Sequence, residues 1–194
     1  MTIIGLTGPT GAGKSTIAAL LAREGFLVLD GDRIAREAMQ PGSPLLPRLA
    51  EAFGGDILLP DGNLDRRLLA RRAFASEETT ALLNALTHPE IERRMFDEIA
   101  AHPDCPAAVI DAAALIESGI SQKCDLLAVV LAPQEVRLAR ILARDGISPE
   151  DAETRMRAQH PDSFYTDKAD VVLLNDGAHM PETEIRKITE RLHT

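Results

Sequence analysis

The chain has 194 residues, of which 45% are hydrophobic and 26% charged, and this length and composition suit one α/β domain with an insertion. Its net charge of −9 and its 3% of aromatic residues argue against nucleic acid or an anionic membrane surface as a partner. The two cysteines form no disulfide framework, and the longest apolar run, Leu126–Ala132, is too short to span a bilayer, so we expect a cytoplasmic protein with free thiols.

A glycine-rich turn separates the first strand-like run from the first helical pattern. The apolar residues Ile3–Leu6 precede Gly-Pro-Thr-Gly-Ala-Gly-Lys-Ser at positions 8–15, and a helix is predicted from Ser15 to about Arg23. This arrangement is typical of a P-loop, whose backbone N–H groups and helix start hold a polyphosphate. We predict that Lys14 reaches the β- and γ-phosphates and that the Ser15 hydroxyl joins a Mg²⁺ shell; a turn without a ligand is the alternative. The predicted phosphate-binding residues are Gly8, Gly11, Ala12, Gly13, Lys14, Ser15 and Thr16.

Two aspartates follow the next predicted strand. The run Phe26–Leu29 indicates a buried strand and leads into Asp30-Gly31-Asp32. Because ligands of parallel α/β sheets bind at the carboxyl ends of the strands, we expect this acidic turn on the same edge as the P-loop. Asp32 is either a catalytic carboxylate or the N-cap of a helix starting near Ile34, and the P-loop favours catalysis.

The region from Arg33 to about His102 contains helical patterns but no clear strand. It indicates a helical insertion between the second and third strands, with Asp65 and Ser76 as N-caps and His88-Pro89 at a helix start.

A local basic cluster lies within this insertion. It consists of Arg66, Arg67, Arg71 and Arg72. The cluster is either a solvated helix face, favoured for Arg71 and Arg72, or a site for a substrate phosphate, and the two alternatives are level for Arg66. For His88, the spacing by itself favours a structural histidine.

The α/β pattern then returns with three further predicted strands, at Ala107–Asp111, Leu126–Leu131 and Val171–Leu174, and with a closing helix at Pro181–Leu192. Asp111 ends its strand as a Walker B aspartate does. It is a candidate for binding Mg²⁺ through water, or a strand-end residue that meets backbone N–H groups.

Two arginine-rich helices lie between the fourth and fifth strands. Pro133 opens the first, and Ser148 with Asp151 forms a capping box for the second. The arginines are Arg137, Arg140, Arg144, Arg155 and Arg157. They indicate either a lid that closes over phosphates or two amphipathic helices with solvated arginines.

In this order, the motifs resemble the dephospho-coenzyme A kinase family nearly end to end. The P-loop marks only a superfamily, whereas the Asp-x-Asp-x-x-Ala-Arg and Thr-His-Pro elements are more specific. The matching segments are positions 6–16, 30–36, 41–42, 62–66, 86–89 and 117–119, then Arg140 with Arg144, Arg155 with Gln159, and positions 169–177.

The resemblance implies a P-loop kinase fold with a five-stranded parallel sheet flanked by helices. It implies a single domain with a core at 1–32 and 105–194, a helical coenzyme A-binding insertion at about 33–104, and a lid at about 137–168. ATP would be the donor, with Mg²⁺, and the ribose 3′-hydroxyl of dephospho-coenzyme A the acceptor.

The same resemblance implies roles for individual residues. Asp32 would be the base, while Lys14 and Arg140 would stabilise the transferring phosphoryl group. Asn175 and Gly177 would lie near adenine. Arg66 and His88 would belong to the acceptor side.

Three alternatives to a dephospho-coenzyme A kinase make different demands on the sequence. Another small-molecule kinase, for a nucleoside monophosphate or a sugar, would share the core and differ in the insertion. A GTP-binding switch would need an Asn-Lys-x-Asp guanine motif, which the sequence lacks. A non-catalytic nucleotide-binding module would not need the intact Lys14, Ser15 and Asp32. The oligomeric state is left open, a monomer included.

Overall fold

Five parallel strands form one sheet in the computed structural model, which describes residues 1–192. The strands are β1 (Thr2–Thr7), β2 (Leu27–Asp30), β3 (Ala107–Asp111), β4 (Leu126–Leu131) and β5 (Val171–Leu174). Their order across the sheet is β2-β3-β1-β4-β5, so β1 lies in the centre, between β3 and β4. The turn after β1 therefore opens where the strand order reverses, which is where α/β sheets bind ligands.

Helices make up most of the remaining described structure. They are α1 (Lys14–Arg23), α2 (Gly31–Ala38), α3 (Leu45–Phe53), α4 (Arg66–Ala73), α5 (Glu77–Ala100), α6 (Gln134–Asp145), α7 (Pro149–Arg157), α8 (Asp162–Thr166) and α9 (Pro181–Leu192). Single turns of 3₁₀ helix occupy Gly55–Ile57 and Ile120–Lys123. Among residues 1–192, no helix combines the length and the apolar character needed to cross a bilayer.

The chain divides into two compact units, one made of residues 1–30 with those from 102 onward, and one of residues 31–101. We call them the sheet unit and the helical unit. The core of the sheet unit includes Ile4, Val109 and Val130, which are fully buried in their strands. The helical unit has its own core, in which Leu49 of α3 and Ile57 are fully buried.

Local sequence signals placed several helix ends correctly. The predicted N-caps Asp65 and Ser76 are confirmed, since their side chains accept hydrogen bonds from the N–H groups of Leu68 at 2.9 Å and Thr79 at 3.2 Å. After α1, Gly25 has a φ of +87°, and its N–H donates to the Ala22 carbonyl. A glycine in this left-handed conformation ends the helix at low cost, as the sequence predicts.

The prediction of a helix start at His88-Pro89 is wrong, because both residues lie inside the long helix α5. Pro89 removes one backbone hydrogen bond, which would be directed to Ala85, and Ala85 is exposed, so its carbonyl can meet water. Helix α5 packs against α2, α3 and α4 within the helical unit. Burial against three neighbours therefore outweighs the local preference of proline.

Candidate active site

The turn after β1 depends on glycine at two positions. Gly8 has a φ of +141°, and a Cβ there would lie 2.2 Å from the Val130 carbonyl oxygen. Gly13 has a φ of +90°, and a Cβ there would lie 2.1 Å from Asn175 Nδ2. Both the conformation and the close neighbours exclude a side chain. The P-loop is thus packed directly against β4 and the residue that follows β5.

The start of α1 is prepared for an anion. Helix α1 begins at Lys14, and its first turn contains no acidic side chain, so the positive end of the helix is left for a ligand. Lys14 Nζ donates to the Gly8 carbonyl at 3.2 Å and therefore reaches back across the loop. Ser15 and Thr16 are exposed in the same turn.

Two predicted site residues hold the carbonyl side of the P-loop. Arg140 Nη1 donates to the carbonyls of Gly11 at 3.3 Å and Ala12 at 3.1 Å, and its Nη2 donates to Asn175 Oδ1 at 3.3 Å. The buried Asn175 amide donates to the carbonyls of Ala12 at 3.1 Å and Gly13 at 3.3 Å. These bonds fix the loop through its carbonyls, whereas a P-loop binds phosphate through backbone N–H groups.

The observed contacts of Arg140 and Asn175 can be compared with the roles that the family resemblance implies for them. The resemblance places Arg140 at the transferring phosphoryl group and Asn175 near adenine, and both roles stay predictions. In the structure, each side chain contacts P-loop backbone. Gly177, the other predicted adenine neighbour, is exposed two residues further on, with a φ of +87°.

Two further residues at the P-loop were not assigned a role from the sequence. The Thr10 N–H donates to Gln159 Oε1 at 2.9 Å, and the Thr10 carbonyl accepts from Arg137 Nε at 3.0 Å. The only sequence signals were membership of Arg137 in the arginine-rich helices and the spacing from Arg155 to Gln159. Neither signal indicates a contact with the loop.

The carboxyl ends of two strands bring two aspartates side by side. Asp30 of β2 is paired in register with Asp111 of β3, and Asp111 is in turn paired with Leu6 of the central strand. Asp111 is half-buried and Asp30 is exposed. The predicted acidic edge is therefore present beside the strand that leads into the P-loop.

The oxygen donors at this edge fit a magnesium ion. Mg²⁺ in phosphate sites is held by one or two protein oxygens, by water and by the substrate phosphates. The Ser15 hydroxyl and the Asp111 carboxylate supply such donors, whereas the part of the chain described here contains no group of three or more His, Cys, Asp or Glu side chains that could hold a metal ion unaided.

In the helical unit, Asp32 lies in the first turn of α2, which begins at Gly31. The alternative of Asp32 as the N-cap of a helix starting near Ile34 is therefore wrong. The helix starts three residues earlier than predicted, directly after β2. The Asp32 side chain is exposed, and as an acidic group in a first turn it is favoured by the helix dipole.

The predicted acceptor residues of the helical unit have different surroundings. Arg66 is exposed, and its Nη2 donates to the Arg36 carbonyl at 3.1 Å, which links α4 to α2. His88 is half-buried in α5, where burial lowers the pKa of its imidazole and Glu92 partly opposes that shift. Burial thus favours the neutral form of the imidazole. Of the basic cluster, Arg72 has a structural partner, since it pairs with Asp56 at 2.5 Å.

Three of the predicted lid arginines pair with nearby acids. Asp145 accepts from Arg144 at 2.7 Å and from Arg155 at 2.5 Å, and Arg157 lies 3.5 Å from Glu153. These exposed pairs fit the alternative of solvated arginines at the three positions. Two of the five, Arg137 and Arg140, instead donate hydrogen bonds to P-loop carbonyls. The lid itself stays a prediction.

Solved structures with the same fold define the class. A crystal structure of TT1252 from Thermus thermophilus matches with a TM-score of 0.85 and 35% identity, covering 100% of this chain and 98% of that one. A shikimate kinase from Acinetobacter baumannii matches with a TM-score of 0.54 and 20% identity over 99% of this chain and 93% of its own, a likeness of fold alone. Fold and site together define a P-loop kinase.

The family follows from sequence. The family model for dephospho-CoA kinase matches residues 2–180. A dephospho-CoA kinase from Corynebacterium glutamicum is 49% identical over 177 residues, which are 90% of this chain and 88% of that relative. The chain belongs to the dephospho-CoA kinase family, and its function is that of a kinase in coenzyme A synthesis.

Proposed function

We propose that the protein transfers the γ-phosphoryl group of ATP to the ribose 3′-hydroxyl of dephospho-coenzyme A, which yields coenzyme A and ADP. One observation carries the proposal: in a chain of this family, Arg140 and Asn175 hold the carbonyls of the P-loop while Lys14 reaches across it. These contacts hold the loop in place before a ligand binds, and most catalysis of phosphoryl transfer is positioning and charge neutralisation.

On the donor side, the loop N–H groups and the first turn of α1 bind the phosphates. Lys14 neutralises charge that builds up on the transferring phosphoryl group, and Arg140 is proposed to assist it from α6. Ser15, with Asp111 through water, would hold Mg²⁺, which would supply charge neutralisation to the phosphates.

On the acceptor side, Asp32 is proposed as the base. Its carboxylate takes the proton of the 3′-hydroxyl as the hydroxyl oxygen bonds to the γ-phosphorus, and the bond from that phosphorus to the ADP oxygen breaks. Arg66 and His88 are proposed to contact the acceptor. The helical unit would then be the coenzyme A-binding part, with residues 137–168 as the lid.

The test is ADP release with Mg·ATP and a panel of acceptors. We expect turnover with dephospho-coenzyme A and none with AMP, other nucleoside monophosphates or simple sugars. Turnover with a different acceptor only would overturn the substrate and retain the P-loop assignment. ATP binding without turnover on any acceptor would instead indicate a non-catalytic nucleotide-binding module. Cell fractionation would test the proposed cytoplasmic location, and light scattering would measure the oligomeric state.

A further inference from the structure

One residue of the P-loop, Thr10, is held through both its backbone N–H and its backbone carbonyl. The Thr10 N–H donates to Gln159 Oε1 at 2.9 Å, and the Thr10 carbonyl accepts from Arg137 Nε at 3.0 Å. The two holding side chains also bond to each other, because Arg137 Nη2 donates to the same Gln159 oxygen at 3.3 Å. Thr10, Arg137 and Gln159 therefore form a closed ring of hydrogen bonds.

The arginine of this ring is buried. The Arg137 side chain is only 9% exposed, and its remaining donor group, Nη1, lies 3.3 Å from Asp162 Oδ1. A desolvated guanidinium is costly unless its donors are paired, so loss of a partner is penalised well beyond one exposed hydrogen bond. The ring is thus a fixed arrangement and not a chance surface contact.

Backbone packing strengthens the same connection. A Cβ on Gly11 would lie 2.7 Å from the Arg137 carbonyl oxygen, so the start of α6 is in close contact with the loop residue next to Thr10. Gln159 comes from a different element, the connection that follows α7. The first half of the P-loop is thereby bonded to two segments of the proposed lid.

We propose that Arg137 and Gln159 are positioning residues that hold the P-loop in its phosphate-binding shape through the backbone N–H and carbonyl of Thr10. The proposal rests on the proposed nucleotide site. It assigns the pair no contact with the reacting atoms. Motion of the segment after α7 then changes the shape of the loop, because the two share the Gln159 hydrogen bonds.

The first test compares two substitutions at one position. Gln159→Leu removes the acceptor oxygen at similar size, whereas Gln159→Glu retains an acceptor for both Thr10 and Arg137. We expect Gln159→Leu to raise the Kd for Mg·ATP about tenfold, and Gln159→Glu to stay within about twofold of wild type. The KM for dephospho-coenzyme A should change less than about twofold in both. Gln122→Leu, at an exposed glutamine in the 3₁₀ turn before β4, is the matched control.

A second readout follows the ring directly. Hydrogen exchange at the Thr10 amide should accelerate about tenfold or more in Gln159→Leu, and not in Gln159→Glu or Gln122→Leu. A merely structural role predicts a lower unfolding midpoint with an unchanged Kd for ATP, and that result would overturn the proposal. If Gln159→Leu does not fold, Arg137→Lys replaces it, since lysine keeps the charge but cannot donate to Thr10 and Gln159 in the same forked geometry.

The two proposals fail in different ways. If the wild-type protein bound no Mg·ATP, the proposed nucleotide site would be wrong, and the ring would still be tested by exchange at Thr10. If the wild type binds Mg·ATP and Gln159→Leu binds it within twofold of wild type, the nucleotide site stands and the positioning pair is refuted.

Discussion

The two units hold their predicted functional side chains in opposite ways. In the sheet unit, Arg140 and Asn175 donate to backbone carbonyls of the P-loop, so their positions are set by the fold. In the helical unit, by contrast, the Asp32 side chain is exposed on α2. The difference indicates two roles. Side chains that are bonded to backbone preorganise a site, whereas an exposed side chain can still reorient to contact a substrate.

The largest expected effect comes from an exposed residue of the helical unit. We expect Asp32→Asn to lower kcat by a factor on the order of 10²–10⁴, because the acceptor hydroxyl loses its base. The Kd for Mg·ATP should stay within about twofold. Steady-state turnover and ATP titration check both. Glu37→Gln, an exposed acid on the same helix, is the control. Near wild-type turnover in Asp32→Asn would remove this residue as the base.

A substitution in the P-loop should damage binding and stability together. Gly13→Ala and Gly25→Ala both place alanine at a φ near +90°, but only the Cβ at position 13 meets a neighbour, Asn175 Nδ2 at 2.1 Å. Left-handed strain costs each variant about 1–2 kcal/mol. We expect Gly13→Ala to lose more stability in urea than Gly25→Ala, and ATP affinity as well. Equal losses in the two variants would mean that the Asn175 contact contributes nothing.

The role of Asn175 itself can be separated from adenine binding. We expect Asn175→Ala to lower the free energy of unfolding by about 1–3 kcal/mol, because buried loop carbonyls lose their donor. If Asn175 acts through the loop, affinity for ATP and for inorganic tripolyphosphate should fall by the same factor. Loss of ATP affinity alone, with tripolyphosphate binding intact, would instead support the adenine contact that the resemblance implies.

The smallest effect is expected at Glu184, a buried acidic residue of α9. Although burial raises the pKa of the Glu184 carboxyl, hydrogen bonds from Lys187 Nζ at 2.6 Å and from the Leu174 N–H at 2.7 Å bring it below its usual value. A lowered pKa in the folded state stabilises the protein above the unfolded value of about 4.3. That stability is lost as the pH falls through the lower, folded-state pKa.

Glu184→Gln should therefore cost about 1 kcal/mol of unfolding free energy at pH 7, with the difference from wild type shrinking as the pH falls below about 4. Urea unfolding at a series of pH values measures it. Glu184 holds the N–H of Leu174, which directly precedes Asn175. A larger loss of ATP affinity than of stability would therefore show that Glu184 also positions Asn175 against the P-loop. A difference that grows toward low pH would contradict the sign worked out here.

Much of the fold and part of the site followed from local patterns. The P-loop motif, the five strands and the caps at Asp65 and Ser76 were predicted at or within a residue or two of where they lie. Turn conformations, caps and apolar periodicity depend on neighbouring residues, so a sequence displays them. The two errors, the helix start near Ile34 and the helix start at His88-Pro89, both concern helices whose limits depend on their surroundings.

The sequence by itself thus determined where the P-loop lies and that a parallel sheet presents it. Only the tertiary structure decided which side chains hold that loop. Arg137 reaches Thr10 across 127 residues, and Asn175 reaches Ala12 across 163. The physical reason is that a buried donor takes whichever carbonyl the packed chain places within reach, and no local spacing encodes that choice.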